Sequence, residues 1–495
     1  MPTSTQPAAA AENSSLASVQ HIVHLMLENR SFDHMLGFLY PDKSGPGGQP
    51  FEGLLGTESN DDSTGKPVTV FPIEAASPNA YFMPGADPGE GYANTNVQLF
   101  GKGSPPKPPV ATMTGFVTSF EAAIAYDQRS HQTVVAGTTA SDIMGIFTPA
   151  ALPVLSGLAR GFAVCDHWYS SVPTDTLPNR AFACAATSQG HMSDATRSFT
   201  VQSIFGLMTA HNLGWKIYGY DAEPLTRSDF PDTLDAPDTN FGKFADFQAD
   251  AATGRLPAYS FLEPSWSSTG NSQHPNYDVA LGEAFILQVY RAVRNGPGWA
   301  STLLIVSYDE HGGCYDHVPP PTNATPPDST AGESGFDFTR FGVRVPAVLV
   351  SPLIPAGTIY RVPAGSTPID HTSVLKTIEQ RWGLPALTAR DAAAPGLGGA
   401  LTLTTPRTDD PLAGVTAPVS SGQNPASGDV SHLLRLHAEQ VSDLQIPLSE
   451  LRDAPVLVNQ HASADFEHYI AARTGAWKAA RAQGDAPGRF MLESG

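Results

Sequence analysis

Three short clusters in this sequence bring together side chains that can do chemistry. Glu28 and Asn29, in ENRSFDH, set a carboxylate beside an amide oxygen, a pair suited to a hard divalent cation. Asp309, Glu310 and His311 are followed closely by Gly312, Gly313, Asp316 and His317. Adjacent side chains on an extended backbone point to opposite sides, so Asp309 and Glu310 can share one cation only where the strand has ended. Gly312-Gly313 supplies the freedom to turn there. The third cluster, Thr174 to Arg180 (TDTLPNR), has Pro178 where a helix's first turn would accept it, which puts Thr176 at the helix start. Free N–H groups and the helix dipole favour an incoming phosphate at such a position. A metal beside the Thr176 hydroxyl would make it a nucleophile. Each cluster also has a plainer reading: Glu28 as a solvated loop acid, Asp309-Glu310 as a surface acidic turn, Thr174 or Thr176 as a cap. His274, His317 and His371 are candidate metal ligands, phosphate contacts or general acids, and each alone reads equally as a hydrogen-bonded structural histidine.

The elements that must position these residues alternate between strands and helices. Val19 to Leu27 is an apolar, partly β-branched strand that ends abruptly in Glu28-Asn29-Arg30. Thr302 to Tyr308 (TLLIVSY) is a second buried strand and also ends in acids. Polar residues just past strand ends fit the usual site position in an open α/β sheet. Further strands are expected at Trp215 to Tyr218 and Val345 to Val350. Helices are expected from Ser31 as cap through Leu39, at Pro153 to Ala163, at Arg180 to Ser188, and at Leu281 to Asn295, where Phe285, Ile286, Val289, Tyr290 and Val293 share a face. Thr372 or Ser373 caps another, carrying Val374, Leu375, Ile378 and Trp382. Residues 41 to 115, rich in Gly, Pro, Asp and Asn, read as long loops. Alternation of this kind favours an α/β fold with a mainly parallel sheet between helices. The chain divides into a tail at 1–18, a catalytic domain at 19–405 and an extension at 406–495. The extension holds a Pro/Ser/Gly linker and helical patterns near 429–441 and 461–483, packed on the core or lidding it.

Composition sets outer bounds. The 495 residues include 28 Lys and Arg against 48 Asp and Glu, a net charge of −20. That balance argues against nucleic acid as a partner and against broad docking onto anionic lipid. Cys165, Cys184 and Cys314 show no CxxC spacing and read as reduced thiols, one bridge being the alternative. The N-terminus lacks a basic, then apolar, secretory signal, and the longest apolar runs fall short of the roughly 18 residues of a membrane helix. The expected location is therefore cytoplasmic, or outside by a leaderless route.

The motifs ENRSFDHMLG, FAVCDHWYSSVPTDTLPNR, HPNYDV, TLLIVSYDEHGGCYDHVPPP, FGVRVPAVLVSPLIPAGT and DHTSVLKTIEQRWG occur in this order. On them the chain resembles the phosphoesterase family of bacterial and plant non-specific phospholipases C and an acid phosphatase, from about Val19 to Arg407. The resemblance implies an alkaline-phosphatase-like fold. It implies a divalent metal (Ca, Mg, Mn or Zn) held by Glu28, Asn29, Asp309 and Glu310, with Thr176 as nucleophile and further metal contact. It implies catalytic roles for His274 and His317, and substrate contacts from Asn29, Arg180 and His371. Relatives read DPGH where this chain has Asp87-Pro88-Gly89-Glu90, so Glu90 replaces an imidazole among the substrate contacts. A carboxylate there repels a phosphate unless it is metal-bound or protonated.

The expected reaction is phospholipase C-type cleavage of a glycerophospholipid through a phosphothreonine, with His317 or His274 protonating the leaving oxygen. An acid phosphatase of the same family and a non-catalytic metal- or ligand-binding relative are the alternatives. Transient contact with a membrane surface would call for an apolar rim. Phe71, Tyr81, Phe82, Met83, Tyr92, Leu99 and Phe100 are either that rim or cores of folded loops.

Overall fold

Apolar runs bounded by turn residues and acids fold into one eight-stranded sheet. The computed structural model describes residues 15–195, 198–421, 424–426, 428–446 and 462–483. The sheet strands are β1 His21–Leu27, β2 Ala163–Val164, β3 Trp215–Gly219, β4 Phe241–Lys243, β5 Tyr259–Leu262, β6 Thr302–Tyr308, β7 Ala347–Val350 and β8 Thr358–Ile359. Their order across the sheet is β8-β2-β7-β6-β1-β5-β3-β4. Every pair is parallel except those made by β7, which runs against β6 and β2. All seven residues of β6 are buried, as a strand covered on both faces requires. The expected α/β architecture is present, a mainly parallel central sheet flanked by helices.

Six helices build or buttress the region around the strand ends: α1 Phe32–Leu36, α2 Tyr92–Phe100, α3 Thr176–Ala185, α4 Val279–Asn295, α5 Thr372–Trp382 and α6 His432–Ser442. Ser31 caps α1, its Oγ accepting from the His34 N–H, but the helix ends at Leu36 rather than Leu39. Phe285, Ile286, Val289, Tyr290 and Val293 are the buried face of α4. A last long helix, α7 Ser463–Gln483, packs on α6 through Leu434, Ala438, Val441, Phe466, Ile470 and Trp477.

Two loop expectations change. The stretch 41–115 includes α2, and Tyr81, Phe82 and Leu99 are buried while Phe71, Met83, Tyr92 and Phe100 pack against cores. These aromatics close loop cores instead of forming an apolar rim. Most of the expected N-terminal tail, residues 1–14, lies outside the described residues, but Leu16 is buried in the main core. Cys165, Cys184 and Cys314 are free and buried. Among the described residues, no helix is long and apolar enough to cross a membrane.

Candidate active site

Parallel pairing of β1 with β6 sets Leu27 opposite Tyr308, so Glu28 and Asp309 leave the sheet side by side. Asn29 then takes a left-handed conformation, φ 57°, which asparagine tolerates better than most residues. This turns its backbone N–H onto Asp309 Oδ1 at 2.9 Å. Gly312 allows the second strand end to close over the first, for a Cβ there would lie 2.0 Å from the Asn29 carbonyl oxygen. Two chain segments far apart in sequence are thus locked together at the carboxyl edge of the sheet.

Thr176 begins α3 directly above this edge. Its hydroxyl donates to Asn29 Oδ1 at 3.0 Å, and the Asn29 amide nitrogen donates in turn to Glu90. The orientation of the Asn29 amide follows from these partners, since the Glu90 carboxylate needs a donor. Arg180, one turn along α3, donates from Nε to Asp309 Oδ2 at 2.9 Å and from Nη2 to the Leu27 carbonyl at 3.1 Å, and stacks 4.6 Å from the Trp266 ring. Its Nη1 is buried without a partner, the one part of Arg180 available to a ligand. The helix start offers an anion less than its sequence suggested. Asp194 Oδ1 already takes the Leu177 N–H at 2.7 Å, and Pro178 has none to give.

The carboxylates crowd one another. Burial, with Asp309 adding repulsion, holds Glu310 well above the ordinary carboxyl value. Burial likewise raises Glu28 and Asp309. Glu90 is pushed well up by burial and then by Glu310, Asp87, Asp175 and Asp194. Glu310 is fully buried, yet its Oε1 has no hydrogen-bond partner. Buried oxygen-rich groups with unspent lone pairs and mutual repulsion fit a divalent cation, which would neutralise them where they stand.

The histidines divide. His274 donates from Nδ1 to the Pro275 carbonyl at 2.9 Å and turns Nε2 toward Asp87 and Glu90, at 3.8 and 3.9 Å. His317 makes its contacts in another acid cluster. Its Nδ1 pairs with Asp33 Oδ2 at 2.5 Å and its Nε2 lies 3.2 Å from Lys43 Nζ, in a separate cluster with Asp316 and Arg344. Arg344 binds both Asp33 and Asp316, so those acids are balanced within the protein and hold His317 with them. The contacts of His317 are thus with Asp33, Lys43, Glu52 and Arg344. His371 has both ring nitrogens occupied by the protein. Nε2 donates to the Asp309 carbonyl at 2.5 Å and Nδ1 accepts from Trp168 at 3.3 Å. Burial lowers His371 to about 4, leaving a neutral ring that props the Asp309 backbone.

Several site residues escaped sequence reasoning. Asp87 had a signal, three positions before Glu90 in the same motif. Asp194 and His432 had none, because only tertiary packing joins them: His432 Nε2 of α6 lies 3.0 Å from Asp194 Oδ2. Asp87, Glu90, Asp175, Asp194 and His432 line a cleft of about 920 Å³ beside Thr176, together with Tyr126 and Arg435. Leu433 and Leu436 of α6 pack with Leu177, Leu225 and Trp266, so α6 sits against the first turn of α3.

The family model for the phosphoesterase family matches residues 19–385, spanning both acidic strand ends and the Thr176 helix. This chain belongs to the phosphoesterase family. A curated relative, non-specific phospholipase C3 of Arabidopsis thaliana, is 34% identical over 97% of this chain and 90% of its own length. Phospholipase C A of Mycobacterium tuberculosis is 28% identical over 79% of this chain and 78% of its own. Among solved structures, a protein of the alkaline phosphatase superfamily from Vibrio parahaemolyticus covers 50% of this chain and 65% of its own at 13% identity, with a TM-score of 0.30. In this phosphoesterase Glu90, which accepts from Asn29, and Asp175, the residue before Thr176, both line the acidic cleft.

Proposed function

We propose that this phosphoesterase is a phospholipase C-type phosphodiesterase, cleaving a glycerophospholipid into diacylglycerol and a phosphorylated head group. The observation that carries the reading is the Thr176 hydroxyl, 3.0 Å from Asn29 Oδ1 at the meeting point of the two acidic strand ends. A hydroxyl that donates to Asn29 keeps its lone pairs for the cleft. Thr176 Oγ forms a bond to phosphorus, the bond from phosphorus to the glycerol oxygen breaks, and diacylglycerol leaves as an alcohol. The proton given up by the hydroxyl balances the one the leaving oxygen takes. Water then attacks phosphorus, the bond to Thr176 Oγ breaks, and the phosphorylated head group is released.

A divalent cation held by Glu28, Asn29, Asp309 and Glu310 would supply positive charge to the attacking and non-bridging oxygens. Arg180 fixes the Asp309 carboxylate and offers Nη1, while His371 fixes the Asp309 backbone. The cleft walls carry Asp87, Glu90, Asp127, Asp175, Asp194 and Glu439 against Arg129, His432 and Arg435. The relatives named phospholipase C favour a diester over a monoester as the substrate.

The test is hydrolysis of phosphatidylcholine and phosphatidylethanolamine vesicles, set against p-nitrophenyl phosphate, by wild type and Thr176→Ala. Wild type is expected to cleave the diesters faster. Thr176→Ala should lose at least about 10³-fold in kcat with an unchanged circular dichroism spectrum. Near-normal turnover by the variant would overturn the nucleophile, and a preference for the monoester would overturn the phospholipase reading.

A further inference from the structure

The geometry points to a second divalent-cation site in this chain, formed by Asp87, Glu90 and His274 beside the strand-end acids. One ligand atom from each of the three lies within 4.8 Å of the others. The histidine supplies the decisive detail. Its Nδ1 is 2.9 Å from the Pro275 carbonyl, which can only accept, so Nδ1 carries the hydrogen. In the neutral ring this leaves a bare lone pair on Nε2, turned toward two carboxylates from a ring only 5% exposed. Lone pairs do not converge without a positive centre between them. The separations are 3.8 Å to Asp87 Oδ1 and 3.9 Å to Glu90 Oε2. Donors about 3–4 Å apart are neighbours in the shell of a cation bound at roughly 2.0–2.3 Å. Asp87 Oδ1 is also a buried atom with no hydrogen-bond partner. A histidine that fixes its tautomer through a backbone carbonyl is oriented as metal-binding histidines are.

The site explains why a carboxylate is tolerated at position 90. Glu90 would repel a phosphate ester on its own, whereas with Asp87 and His274 it holds positive charge at the cleft. His274 thereby becomes a ligand instead of the proton donor expected from the sequence. Cation binding at these three residues does not require Thr176 to be the nucleophile.

The probe is Mn²⁺ alone, added to the metal-stripped full chain at pH 7.5 and counted by equilibrium dialysis with elemental analysis. Wild type should take up two equivalents, Asp87→Asn one, and Glu310→Gln one. Circular dichroism verifies folding, and Glu90→Gln is read in the same way should Asp87→Asn fail to fold. One equivalent in both wild type and Asp87→Asn, or two in both, overturns the second site, as does no uptake by wild type. One in wild type and none in Asp87→Asn upholds this site while overturning the strand-end site.

Discussion

Two clusters in this phosphoesterase share one composition, two carboxylates and a histidine, and have opposite characters. In the first, Asp33, Asp316 and His317 surround Arg344, with contacts of 2.5 to 3.0 Å. Arg344 also donates to the carbonyls of Glu52 and Asp166, so its guanidinium is satisfied and fully buried. In the second, Asp87, Glu90 and His274 stand 3.8 and 3.9 Å apart, and the basic partner is the histidine itself. Residue type does not separate a structural knot from a site for chemistry. What separates them is whether the protein brings its own cation to hydrogen-bond distance.

The largest effect should come from removing that cation. Arg344→Met strands two buried carboxylates and should cost about 3–5 kcal/mol of stability, read from urea unfolding midpoints. An unchanged midpoint would mean that the first cluster is not held by its guanidinium. Next, Mn²⁺ at 100 times its dissociation constant should stabilise the chain by about 2.7 kcal/mol per site, and Asp87→Asn should lower the total gain in thermal melts.

A smaller effect tests His317. Despite the opposing pull of burial, Asp33 raises His317 above its ordinary 6.5. Despite the same pull, Arg344 and His317 lower Asp33 below 3.8. Stability from the histidine is complete below pH 6.5 and lost as pH climbs through its raised value. Stability from Asp33 is present above 3.8 and lost as pH falls through its lowered value. His317→Gln should cost about 1–2 kcal/mol between those limits and flatten the alkaline side of the stability profile, with vesicle turnover retained. The smallest effect is expected at His432. Asp194 lifts it to about 9 against burial, but the ring is half exposed and its ion pair is screened. His432→Gln should change kcat/KM by no more than about threefold.

Much of the scaffold was legible because its signals are local. TLLIVSY is bounded by a Gly-Pro stop upstream and acids downstream, and β6 occupies those seven residues. The apolar stripe at Phe285, Ile286 and Val289 marked α4, which starts two residues earlier at Val279 because Asp278 caps it. The helix at Phe116–Ser130 went unread, since Gly115 gives no side-chain cap and its stripe is interrupted by Ser119 and polar neighbours. β5 has only four residues, too few for a period to show. Glu28, Asn29, Thr176, Asp309 and Glu310 stand out in the sequence because strand ends and a helix start concentrate polar residues in short motifs. The choice between His274 and His317 could not be read, because each lies near acids in the sequence and only the placement of Arg344 tells them apart. Asp194 and His432 are 238 residues apart, and nothing short of tertiary packing joins them.

The apolar contact of Leu433 and Leu436 with Leu177 and Trp266 has a consequence for how the molecule is made. Synthesis proceeds from the amino end, and every strand of the central sheet is in place by Ile359. The wall that seats the first turn of α3 arrives more than seventy residues later, with His432 to Ser442. A nascent chain therefore carries every strand of the sheet, with the cleft still open on that side, before the residues of α6 have been added.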